Sequence, residues 1–99
     1  MPKTHYLDKL IIDDEEISFQ KGVLPHTDTG SESFWSLELT NVENGKKKVE
    51  NAQKNAEMLH LKMVNDEGET LEGSALVTEV SQDTGTNVVL QGSGDLEYK

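Results

Sequence analysis

The sequence predicts an α+β domain dominated by β structure: a curved antiparallel sheet or small barrel of five to six strands, with one helix at about residues 46–58. Three observations carry this. Trp35, Leu37 and Leu39 alternate with Ser36, Glu38 and Thr40, the period of two expected of a half-buried strand. Short apolar runs recur between polar turns around residues 13–16, 65–69 and 81–86, a spacing typical of small all-antiparallel sheets. Val49, Ala52, Ala56 and Leu59 instead recur at steps of three and four, which marks an amphipathic helix. With 99 residues there is room for a single domain, 1–99.

Residues 1–9 mix charged and apolar types without a period and read as frayed, with Tyr6 and Leu7 able to dock. Leu10-Ile11-Ile12 and Ile17-Ser18-Phe19-Gln20 read as two short strands around the acidic turn Asp13 to Glu16. Residues 21–33 collect Gly22, Pro25, Gly30 and several Ser and Thr, and read as a long loop. Phe34 to Val42 is the clearest strand.

Asn44-Gly45 is a hairpin signal, yet Ala52 and Ala56 are poor strand residues. The reading is therefore helix over 46–58, with Gly45 in its entry turn. Lys46, Lys47 and Lys48 in the first turn oppose the helix dipole.

Leu59, Leu61 and Met63 then share one strand face, with His60 on the other. Residues 71–80 form a long strand bent at Gly73. Residues 87–91 form another, broken or bulged at Gly92-Ser93-Gly94 before 95–98.

Composition excludes several functions. The chain has no cysteine, so disulfides, thiolate metal sites and a cysteine nucleophile are absent. No apolar run exceeds three residues, against about twenty for a spanning helix. The first residues have no hydrophobic stretch of the signal-peptide kind, which points to the cytoplasm. A net charge of −10 with no arginine disfavours nucleic acid and anionic membranes as partners. A basic partner or a neutral protein surface fits better, as does self-association.

Each motif that suggests chemistry has a plainer reading. Asp-Thr-Gly occurs at 28–30 and 83–85, as in aspartic proteases, where two carboxylates share a proton. Its neighbours here, Pro25-His26-Thr27 and Val80-Ser81-Gln82, supply no apolar frame, and Asp, Thr and Gly are ordinary turn residues. Asp13 to Glu16 lacks the converging spacing of a calcium loop. His5, His26 and His60 share no metal-ligand spacing. No Gly-x-Ser-x-Gly elbow occurs, and Gly92-Ser93-Gly94 lacks the rest of a dinucleotide loop. No catalytic residue, metal or cofactor is expected.

Phe34-Trp35 is the one aromatic pair. Neighbours on a strand point oppositely, so Trp35 joins Leu37 and Leu39 inside and Phe34 faces outward beside Glu38. Phe34, Glu38 and His26 are the candidate binding residues, the last from the 21–33 segment.

The stretch Leu71-Glu72-Gly73-Ser74-Ala75-Leu76-Val77-Thr78-Glu79-Val80, a polar turn, and Val88-Val89-Leu90-Gln91-Gly92-Ser93-Gly94-Asp95-Leu96 resembles the closing strands of phage tail-tube proteins, which finish in a similar Gly-x-Gly-x-Leu segment. The order of elements also resembles small uncharacterised proteins of Gram-positive bacteria and their prophages. The resemblance covers under a third of the chain. It implies a fold relative without catalytic residues, and the 21–33 segment is shorter than the arm that ring assembly would use.

The function these readings predict is a non-enzymatic structural or protein-interaction module, phage-derived as the resemblance implies, acting through sheet edges such as 71–80. The alternative is a monomeric acidic binding or regulatory protein that takes a basic partner or ligand through Phe34 and the 21–33 segment.

Overall fold

A computed structural model of the chain describes residues 2–29, 32–82 and 85–99, and of Pro2 and Asp28 the backbone alone. The order is β1 (Pro2–Ile12), β2 (Glu15–Ile17), β3 (Lys21–Asp28), β4 (Ser33–Thr40), α1 (Lys46–Asn55), β5 (Met58–Asn65), β6 (Thr70–Ser81) and β7 (Asn87–Tyr98). All pairings are antiparallel. The sheet runs β2-β1-β3-β4-β7-β6-β5, and β5 pairs back onto β1. Six strands thus close a barrel, and β2 adds a short seventh beside the end of β1.

Closure is possible because β1 serves two neighbours in turn. Its first half pairs with β3 (His5 opposite Leu24), and its second half pairs with β5 (Ile12 opposite Leu61). A bulge between Leu7 and Lys9 separates the halves. The bulge also reverses the side-chain phase: His5 and Leu7 point inward, then Leu10 and Ile12. This explains why residues 1–9 read as frayed. From residue 2 on they form a paired strand, but its alternation is broken in the middle, so no single period shows.

The 21–33 segment is likewise corrected: residues 21–28 are strand β3. Gly22, Leu24 and His26 face inward, a period of two disguised by one small and one polar residue. Pro25 sits opposite Thr4 on the β1 side. On the β4 side the ladder skips from Val23–Glu38 to His26–Trp35, which accommodates a residue with no N–H.

The helix forms as the periodicity predicts but ends three residues early, at Asn55. Ala56 adopts a left-handed conformation (φ 52°) and its N–H caps the last turn, so the chain can leave directly into β5. Val49 and Ala52 are buried and the helix packs against β6. Ala56 is exposed and Leu59 belongs to the barrel interior.

The acidic turn is confined to Asp13 and Asp14: Glu15 and Glu16 belong to β2, and Ser18 to Gln20, read as strand, lie outside any strand. Asp13 and Asp14 both have positive φ (47° and 71°) and join Ile12 to Glu15, as a two-residue hairpin requires.

Trp35, 2 % exposed, fills the barrel interior with Leu24, Leu37, Leu61, Leu71 and Leu90. Its ring lies where side chains of β6 and β7 would otherwise stand. A Cβ on Gly92 would come within 2.2 Å of the indole, and one on Gly73 within 2.6 Å. The indole Nε1 donates to the Gly94 carbonyl at 3.2 Å. Gly94 has φ 77° and lies in the irregular stretch between the Glu72–Glu97 and Ser74–Ser93 pairs, the break foreseen at 92–94.

The predicted edge at 71–80 is closed over 71–76, where β6 pairs with β5 on one side and β7 on the other; residues 77–81 pair with β7 alone, and the helix packs against β6. The outer edge left by β2 is three residues long and carries Glu15 and Glu16, features that discourage pairing with a further strand.

Candidate functional site

The register places the helix, Thr40, Met58 and Asn87 at one end of the barrel and residues 2–6, 26–28, 33–35 and 96–98 at the other. At this second end the barrel is splayed. The β4–β7 ladder covers only Ser36–Leu39 with Val88–Gln91, so the start of β4 and the end of β7 do not pair. Side chains close the gap instead.

Asn65, 1 % exposed, sits at the end of β5. Its Oδ1 accepts the backbone N–H groups of Glu67 and Glu69, and its Nδ2 donates to Glu69 Oε1. Those three bonds fix which way the amide faces. The remaining Nδ2 hydrogen therefore points at His5 Nδ1, 3.1 Å away. His5 Nδ1 must accept, so its proton is on Nε2 and is donated to Tyr98 Oη at 2.9 Å. The Tyr98 hydroxyl also meets His26 Nδ1 at 3.1 Å, and His26 Nε2 meets Ser33 Oγ at 2.8 Å. One amide thus sets the polarity as far as Tyr98 in a relay running Asn65, His5, Tyr98, His26, Ser33, across β5, β1, β7, β3 and β4.

His5 and His26 are both buried. Burial pushes the His5 pKa below its ordinary 6.5, and the nearby Lys3 ammonium adds to this, against weaker opposition from Glu69. The bond from Asn65 holds the Glu69 carboxyl below its ordinary 4.5, with help from Lys3. A neutral imidazole is the state that burial favours at His5.

The polarity also restricts chemistry. A metal on His5 Nε2 would force the proton to Nδ1, against the Asn65 N–H. Among the described residues, no group of three His, Asp or Glu is placed to hold a metal ion. Gly30, Ser31, Asp83 and Thr84, with the side chain of Asp28, lie outside the described residues, so the two Asp-Thr-Gly segments are not placed.

The structure separates the predicted binding residues. Phe34 and Glu38 share the outer face of β4, and both are exposed. His26 faces inward, into the relay. Phe34 is 52 % exposed and borders a shallow groove of about 250 Å³ with Pro25, Thr27, Trp35, Ser36 and Gln91. It lies beside the skipped rungs of the β3–β4 ladder. His60 is exposed on the outer face, as its alternation with Leu59 and Leu61 requires.

Across β7, the outer face of β5–β6–β7 is also concave. One hollow of about 410 Å³ is lined by Ile11, Asp13, Asp14, His60, Lys62 and Glu72. A second, of about 160 Å³, shares His60 and Glu72 and extends to Ser74, Ser93, Asp95 and Glu97. Glu72 is met by Lys62 at 3.8 Å and Lys99 at 3.4 Å. These hollows still carry an excess of carboxylates.

Compared with protein-family models, curated proteins and solved structures, the chain matches none.

The relay and the acidic hollows escape sequence reasoning because their members come from strands far apart in the chain. The one available signal was that His5 and His26 each hold an in-phase inward position beside Leu7 and Leu24.

Proposed function

We propose that this protein is a non-enzymatic interaction module that binds a basic, extended segment of another protein on the outer face of its barrel. The observation that carries the reading is the pairing of Phe34, exposed over its groove, with the carboxylate-lined hollows on the far side of β7. A partner strand laid across this face would set an apolar side chain against Phe34 and Pro25, and cationic ones against Glu72, Asp95 and Glu97.

A segment of about ten residues spans roughly 33 Å when extended, comparable to the molecule's 35 Å long axis. The net charge of −10 would steer a cationic partner toward it. The tail-tube resemblance supports the same broad class, a protein whose work is contact with another chain. With its long strands paired, contact through faces replaces contact through edges, and the isolated protein is a monomer.

Trp35 lines the Phe34 groove and is the single tryptophan, so its fluorescence reports occupancy. A titration with a Lys-rich peptide carrying one central Phe should saturate, weaken about tenfold or more between low salt and about 0.3 M salt, and fail in Phe34→Ser. Binding that survives both high salt and Phe34→Ser, or no binding at low salt, refutes the proposal.

A further inference from the structure

The splayed end of the barrel is held by side chains in place of a ladder. Tyr98, from β7, reaches His5 on β1 and His26 on β3, with ring centroids 5.7 and 6.1 Å away. Residues 2–6 of β1 pair with β3 alone. They are also tied to the β5–β6 turn through Asn65 and through Asp66 N–H to the Tyr6 carbonyl at 2.8 Å. These contacts hold residues 2–6, the end of β3 and the start of β4 as a flap against the rest of the barrel.

We propose that the Asn65–His5–Tyr98–His26–Ser33 relay is a proton-operated latch, and that mild acid releases the flap while the remainder of the barrel stays folded. The first bonds of the relay have one polarity, fixed by Asn65. A proton added to His5 goes to Nδ1, where it meets the Asn65 N–H, so donor faces donor and the bond is lost.

The surrounding charges do not rescue this state. Lys3 on β1 opposes it, and Glu69 and Glu67 in the β5–β6 turn offset it only in part. Among the described residues, no other charged group acts on His5 apart from His26. Release uncovers the unpaired backbone edges of residues 33–35 and 93–97 and admits water to Trp35.

Hydrogen exchange read residue by residue tests this between pH 7.5 and 5.5. Protection in residues 3–6, 65–69 and 96–98 should fall by up to about tenfold per pH unit for each proton taken up. Protection in the centres of β5 and β6 should hold, and Trp35 emission should shift to the red without loss of far-ultraviolet ellipticity. His5→Gln should flatten this response, whereas His60→Gln, at an exposed position, should leave it intact.

Sedimentation at each pH separates opening from association as the charge falls toward the pI. The latch is overturned if these segments keep their protection while His5 titrates, if all strands lose protection together, or if His5→Gln responds as the parent does. The parent's exchange profile decides the matter even where a variant fails to fold.

Discussion

Replacing Gly92 with alanine adds a methyl group where the Trp35 ring already stands. The new Cβ would lie 2.2 Å from Cε2 and 2.4 Å from Cδ2 and Nε1 of the indole. Carbon atoms pack at about 3.5–4.0 Å, so the ring must retreat by more than ~1 Å. It has little room, being 2 % exposed with Gly73 against its far edge. Overpacking of this kind costs about 1–3 kcal/mol. Retreat also strains the bond from Nε1 to Gly94, worth about 1 kcal/mol.

The expected loss is therefore about 2–4 kcal/mol, out of a total of about 5–15 for a domain of this size. The melting temperature should fall by about 10–30 °C. Urea unfolding followed by circular dichroism measures the loss directly. Two further variants identify its cause. Gly68→Ala meets nothing within 4 Å, although its φ is +81°, so backbone strain alone should cost about 1 kcal/mol. Gly92→Ala combined with Trp35→Leu should lose less than the two single changes together, with a coupling of at least about 1 kcal/mol. If Gly92→Ala stays within about 0.5 kcal/mol of the parent, or adds independently to Trp35→Leu, the ring does not occupy the space this glycine leaves.

Three other outcomes are expected. The folded pKa of His5 lies below its ordinary 6.5 and that of Glu69 below its ordinary 4.5. Each therefore contributes stability that is present above its ordinary value and lost as pH descends. Urea midpoints should be level above about pH 7, decline below 6.5 and decline again below 4.5. Asn65→Asp places a carboxylate oxygen opposite His5 Nδ1, so the His5 pKa should rise, seen as an imidazole proton titration in NMR; a fall would contradict the assigned relay polarity. The helix has no acidic residue in its first turn and no side-chain cap. Lys46→Glu should accordingly gain about 0.3–1 kcal/mol at low ionic strength, and most of the gain should vanish in about 1 M salt.

Elements with a single unbroken period were legible in the sequence. Trp35, Leu37 and Leu39 gave β4 its inner face, Val49 and Ala52 gave the helix its buried stripe, and the acidic run from Asp13 to Glu16 marked a turn between two strands. β1 and β3 were obscured for physical reasons. The bulge after Leu7 reverses the phase of β1, and the inner face of β3 is written as Gly22, Leu24 and His26, two of which do not look like core. The Phe34 side of the candidate site followed from simple alternation. The relay did not, because its direction depends on the three other bonds that orient Asn65, and its members meet only through barrel closure.

That closure governs the order in which the chain can fold. The seam joins β1 to β5, with Ile12 facing Leu61, and the other long connection joins β4 to β7, with Leu37 facing Leu90. Neither ladder can start from a tight turn. Local hairpins such as β3–β4 and β5–β6 can form early, but two large loops must close before β1 meets β5 and β7 meets β4. Refolding should be slow for so short a chain, in the millisecond-to-second range of β-barrels rather than the microseconds of helical bundles. Substitutions at the β1–β5 seam should act chiefly on the unfolding rate, those in the early hairpins on the folding rate.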